Sequence, residues 1–199
     1  QDQQLIIRNA LAISTLPGLW LRLGSKLHLI AHGPLGVAAS SAPSVAAGFD
    51  VLIRFQGIRA QFATVLMHPS ATGLHVRLTP HVELDPVGLF LIEALTASFR
   101  CSVEFILGQA RCNTRYAFEY PAPGHVDLYD ELLQGECLFN QPHTEIVLPA
   151  DMLQRRSLFA DDELHRQSLL QCQMIEQDLK RNLRLADQIR KRIRQDRYN

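Results

Sequence analysis

The sequence predicts an α+β domain, with a mixed or mostly antiparallel sheet packed on one central apolar helix and a helical segment behind it. Three observations carry that expectation. Residues 60–68 and 73–81 are strand-like runs joined by Pro69-Ser70-Ala71-Thr72-Gly73. Residues 87–107 are apolar almost all round, behind an Asp85-Pro86 start. Residues 150–199 contain neither proline nor glycine, and from Asp161 onward they read as helix. Helices and strands that alternate in this way build one layered core.

The elements follow in order. Leu5, Ile6, Ala10 and Ile13 recur at helical spacing, so 3–14 is a short helix. Pro17-Gly18 punctuates a turn. His32-Gly33-Pro34-Leu35-Gly36 reads as a loop or turn, because Pro34 removes a donor and glycines flank it. Ser41 or Ser44 caps the next helix, with Pro43 in its first turn. Val45, Phe49, Leu52, Ile53 and Gln56 trace one of its faces. In the second strand-like run Leu74, Val76 and Leu78 alternate with His75, Arg77 and Thr79. The two runs are expected to pair as an antiparallel hairpin.

Asp85 suits an N-cap and Pro86 the N1 position of the central helix. A helix with no polar face is covered on several sides, so Glu93, Arg100 and Glu104 must find partners or reach water. Residues 114–123 read as a strand ended by prolines, and 125–135 as a short helix with Gly135 at C′. One or two strands lie in 137–153. From Asp161 onward the chain is one long helix or two joined ones. Leu183, Ala186, Ile189 and Ile193 continue its apolar stripe.

Composition sets bounds. Of 199 residues, 47% are hydrophobic and 20% charged, a globular balance that argues against disorder. No apolar run approaches the roughly 20 residues that span a bilayer, and no secretory signal opens the chain. A cytoplasmic protein is expected. Its first residue is not Met, so the chain is expected to start downstream of the gene's start. Cys101, Cys112, Cys137 and Cys172 form no CxxC pair and are expected to be reduced thiols. The net charge of zero hides an asymmetry. Residues 180–199 hold eight basic and two acidic side chains, while the rest hold twelve basic and eighteen acidic. An acidic body thus carries a basic tail, which is a solvated helix face or a contact for nucleic acid or an acidic surface.

No nucleophile elbow, HExxH, P-loop or GxGxxG occurs, so no catalytic residue, cofactor or metal is assigned. His28 and His32 have ligand spacing, but Gly33-Pro34 interrupts any helix there. His68, His75 and His81 lie on or beside the hairpin, where alternation puts some on one face. They are taken as solvated or hydrogen-bonded. Glu93 and Arg100 are seven apart and share a face of the central helix. They either pair with the sheet, through residues such as Arg77, or with backbone, or they anchor a small molecule held between helix and sheet.

Two stretches carry a resemblance. Residues 21–58 contain Arg22-Leu23-Gly24, His32-Gly33-Pro34-Leu35-Gly36, Ser41-Ala42-Pro43 and Arg54-Phe55. Residues 116–157 contain an aromatic strand ending in prolines, a Gly-Cys-like step, an Asn/His tip and a final Leu-Pro-Ala-Asp-Met-Leu. In order and spacing they resemble the arabinose-binding-type N-terminal domain of AraC/XylS-family bacterial transcription regulators, over most of residues 5–180. Val37 stands where that family often has Tyr, and Gln134–Phe139 departs from its FGCPVRF run. Arabinose is therefore not carried over as the ligand.

The resemblance implies an effector-sensing domain at 1–160 and a helical linker at 161–199, leading to a helix-turn-helix domain outside this chain. It implies a small-molecule effector, a homodimer, and DNA contact only through that further domain. The expected pocket residues are Arg54, Phe55, Arg77, Glu93, Arg100 and Tyr116. The rival readings are a ligand-free dimerisation or docking module, and an enzyme without a recognised motif.

Overall fold

The computed structural model describes residues 2–59, 62–81, 83, 85–108 and 113–196, without the side chains of 2–4 and 186–196. Cys112 and the side chains of Ala186, Ile189 and Ile193 thus lie outside the described residues. Helices α1 (Asp2–Ile13), α2 (Leu19–Gly24), α3 (Pro34–Ser40) and α4 (Val45–Arg54) come first. The hairpin β1 (Ala63–Ser70) and β2 (Gly73–Pro80) follows, then α5 (Pro86–Leu107), β3 (Arg115–Ala117), α6 (Asp127–Leu133) and β4 (Glu136–Leu138). The chain closes with β5 (Glu145–Pro149), α7 (Ala150–Leu153) and α8 (Asp162–Asp196). Short 3-10 turns at Leu29–His32 and Gln56–Ile58 flank α3 and α4.

The sheet runs β1-β2-β5-β3-β4, antiparallel except for the β3–β4 pair. The expected hairpin is present, with His68 opposite His75. Alternation sends Val65, Leu74, Val76, Leu78, Ile146, Leu148 and Tyr116 inward, where all are buried. The central helix spans the predicted residues. Asp85 caps it by accepting from Val87 N and Gly88 N, and Gly108 ends it in the left-handed region at φ 67°. Phe49 stacks on Phe99, joining α4 to α5, and Trp20 meets Phe90 edge-on, joining α2 to α5.

Four local expectations change. Residues 32–36 are a turn leading straight into a helix: Gly33 (φ 64°) turns the chain, and Pro34 opens α3 at N1, where its missing N–H costs nothing. Ser44, not Ser41, caps α4, accepting from Ala47 N at 3.3 Å, and Pro43 precedes the cap. The strand predicted over 114–123 is regular for only three residues. The left-handed residue after α6 is Gln134 (φ 53°), not Gly135. Gly135 is required for another reason: a Cβ there would stand 2.2 Å from the Thr114 carbonyl oxygen.

Helix α8 is a single helix of 35 residues, about 52 Å long at 1.5 Å per residue. Its first half packs on α3, burying Ser168 and Cys172. Further along, Leu183 and Leu185 are 58% and 54% exposed.

Candidate ligand-binding site

A cavity of about 240 Å³ lies between α4 and α5, bordered by His32 of the Leu29–His32 turn and by the edge strand β1. Phe49, Leu52 and Ile53 come from the predicted face of α4. Leu27, Leu35, Phe62 and Val65 close the sides, and Leu95 and Phe99 project from α5. The space exists because Ala94, Ser98 and Ser102 stand four residues apart on α5. Residues at that spacing share a face, and small ones leave room where leucines would fill the core.

The polar lining residues are His32, Gln56 and Arg59, with Ser98 and Ser102 on the α5 wall. Gln56 is fixed by β1, donating to the Val65 carbonyl at 3.1 Å and accepting from Val65 N at 2.9 Å. It thereby covers backbone groups that an edge strand leaves open. Arg59 donates to the Ala31 carbonyl at 3.2 Å. Burial pushes the His32 imidazole pKa down, and the positive charge of Arg59 adds to the effect. His32 is thus held neutral beside a permanent cation. No carboxylate lies among the described lining residues. Such a site accepts an apolar body with one hydrogen-bond acceptor or anionic group.

The six residues singled out from sequence sit elsewhere. Arg54 is exposed, its guanidinium 5.0 Å from the Phe55 ring centroid, and Phe55 is core. Arg77 is on the outer sheet face, 3.5 Å from Glu145. Tyr116 is buried and donates to the Leu133 carbonyl at 3.4 Å. Glu93 and Arg100 both turn toward α6. Tyr129 and His125 reach Glu93 Oε1 at 2.6 and 2.9 Å, while Arg100 donates to the Leu132 carbonyl and to Glu104. None of the six lines the cavity. Of the residues marked on the α4 face, Phe49, Leu52, Ile53 and Gln56 do. The signal not used was the small-residue step 94, 98, 102.

A second depression of about 330 Å³ lies at the sheet end, beside Thr114, Gln134 and Pro149. Its two charged residues, Arg115 and Glu136, face each other at 3.7 Å, so no unmatched charge awaits a ligand there.

Helix α3 connects the cavity to α8. Leu35 lines the cavity at one end of α3. At the other end His165 Nδ1 donates to the Ala38 carbonyl at 2.7 Å, and Asp161 N donates to the Ser41 carbonyl at 3.0 Å. Ser157 Oγ donates to the Ser40 carbonyl. Buried Ala38 and Ala39 let the two helices approach closely.

Comparison with known proteins places these features. The family model described as "Arabinose-binding domain of AraC transcription regulator, N-term" matches residues 1–157. The "Ornithine utilization regulator" of Pseudomonas aeruginosa is 26% identical over 170 residues, covering 84% of this chain and 49% of that protein. Among solved structures, the transcriptional regulator CdpR from Pseudomonas aeruginosa is similar in fold. Its TM-score is 0.69 at 16% identity, over 85% of this chain and 55% of that one. The chain spans about half the length of these relatives.

Proposed function

The chain belongs to the family of arabinose-binding-type N-terminal domains of AraC transcription regulators, a regulatory and not an enzymatic class, and we propose that its effector occupies the cavity between α4 and α5. The observation that carries this is a mostly apolar cavity inside a regulatory domain, with Arg59, His32 and Gln56 among its lining residues. The effector class is a small, mostly apolar molecule bearing one anionic or acceptor group. Arabinose suits the cavity poorly, since most of its hydroxyls would be buried without partners. Ornithine, to which the relative's name refers, carries two ammonium groups that no lining carboxylate would meet.

Ligand entry would act through α3. A molecule pressing on Leu35 shifts α3, and α3 holds the root of α8 at Ala38 and Ser41. The effector then selects among arrangements of α8 according to its differential affinity for them. On this reading residues 1–160 sense and 161–199 transmit to a helix-turn-helix domain, which alone contacts DNA. A homodimer is proposed, with the exposed Leu170, Met174 and Leu183 of α8 as its contact. A cytoplasmic setting suits this role. Among the described residues no helix is long and apolar enough to cross a membrane.

Thermal unfolding with a panel of medium-chain carboxylates and their neutral alcohols tests the proposal. The carboxylates are expected to raise Tm more than the alcohols, and Arg59→Ala to remove that difference. No stabilisation by any member, or equal stabilisation in Arg59→Ala, would overturn it.

A further inference from the structure

We infer that the outer face of the sheet carries a binding site for a divalent transition-metal ion of the zinc class, formed by His68, His75 and Glu145. The three residues come from β1, β2 and β5, adjacent strands of one sheet. His68 and His75 are direct partners in register, and their rings stack with centroids 4.9 Å apart. Glu145 pairs with Arg77, one step along the same face from His75. A diagonal neighbour at this spacing is within reach of a long side chain. Its Oε2 lies 3.0 Å from His75 Nδ1.

One donor atom from each residue lies within 4.8 Å of the others. Donors that share a four-coordinate ion at about 2.0–2.2 Å stand roughly 3.3–3.6 Å apart. The carboxylate and His75 are already inside that distance. His68, which is exposed, needs only a side-chain rotation to join them. Two imidazoles and a carboxylate are borderline ligands that suit Zn²⁺, Co²⁺ or Ni²⁺ rather than Mg²⁺ or Ca²⁺.

The surrounding groups favour occupancy. Ser70 Oγ and Thr72 Oγ1 lie 3.0 and 3.3 Å from His75 Nε2. A hydroxyl there can accept the Nε2 proton, which leaves the Nδ1 lone pair free for the ion. Metal-bound histidines are oriented in this manner by a partner on the other ring nitrogen. Arg77 approaches the other carboxylate oxygen, Oε1, at 3.5 Å, so it does not compete for Oε2. Water can complete the coordination on the open side. The bound ion would tie the β1–β2 hairpin to β5, away from the effector cavity.

Co²⁺ is the probe, added to untagged protein and followed by its visible absorption and by calorimetry. The expected result is one equivalent bound, with a spectrum of nitrogen and oxygen ligation and no thiolate charge-transfer band. His68→Asn and Glu145→Gln are each expected to weaken binding by about tenfold or more, since even outer-shell partners of a metal site account for that much. Circular dichroism without metal checks that both variants are folded. Cobalt uptake unchanged in both variants, a thiolate spectrum, or no uptake at millimolar Co²⁺ would overturn the assignment.

Discussion

Tyr129 donates its hydroxyl hydrogen to Glu93 at 2.6 Å, across the seam between α6 and α5. Burial pushes the Tyr129 phenol pKa up, with Tyr120 and Glu93 adding to it, so the phenol remains a donor. Its proton being committed to Glu93, Tyr120 donates to Tyr129 at 3.1 Å. His125 reaches the same carboxylate oxygen from the half-exposed side at 2.9 Å. Tyr129→Phe leaves a buried carboxylate with one partner fewer. A hydrogen bond to a charged group contributes about 1.5–3 kcal/mol, and that loss is expected in urea unfolding. An unchanged midpoint would show that Glu93 does not depend on Tyr129.

Gly24 lies against the backbone of α5, where a Cβ would stand 2.3 Å from the Ala94 carbonyl oxygen and 2.9 Å from Ala97 Cβ. Neither neighbour can rotate away. Gly24→Ala is therefore expected to cost about 1–3 kcal/mol, the usual range for overpacking. Thermal or urea unfolding measures it. A neutral result would mean that α2 moves freely on α5.

Ser98 faces the cavity from the middle of α5. Ser98→Leu puts methyl groups into empty apolar space, at about 0.8 kcal/mol for each buried CH₂, less some crowding. The variant is expected to gain about 1 kcal/mol in stability and to lose ligand-induced stabilisation. A variant that still answers to the carboxylates would place the effector elsewhere.

His32 makes stability depend on pH. Its folded pKa is lowered from the ordinary 6.5, mainly by burial. Above the unfolded value both states are neutral and the stability is fully present. As pH falls below about 6.5 the unfolded chain takes up the proton first, and stability is lost until the folded pKa is passed. His32→Gln should flatten this decline. Urea unfolding of both proteins from pH 8 to pH 5 tests it, and parallel curves would remove His32 from the account.

The basic end of α8 predicts weak DNA binding by residues 1–199 alone. One helix can touch phosphates but presents few side chains to base edges. Binding should be non-specific and should fall steeply with added salt. A salt-resistant, sequence-specific complex of this chain in a mobility-shift assay would contradict that.

Much of the fold was legible because its signals are local. Asp85-Pro86 marks the start of α5 through its cap, and Leu74, Val76 and Leu78 mark the buried face of β2 through alternation. The α4 face was legible in the same way, and it supplies one wall of the cavity. The other wall was not, because Glu93 and Arg100 drew attention as buried charges. Arg100 pairs with Glu104 one turn on, but the other partners, His125, Tyr129 and the Leu132 carbonyl, lie 32 to 36 residues away. Nothing local in the sequence points to these longer-range partners.

The sequence by itself determined the central helix, the hairpin and a helical C-terminal segment, since caps, turns and periodicity act within a few residues. It also carried the family resemblance, through motifs in order. Only the tertiary structure decided where space remains and which polar groups converge. The cavity is the gap left when Ala94, Ser98 and Ser102 meet the α4 face, and its lining includes His32, Gln56 and Arg59. Likewise His68, His75 and Glu145 meet only because β5 adds to the far edge of β2. Both depend on packing between segments distant in the chain, and no periodicity within one segment encodes that distance.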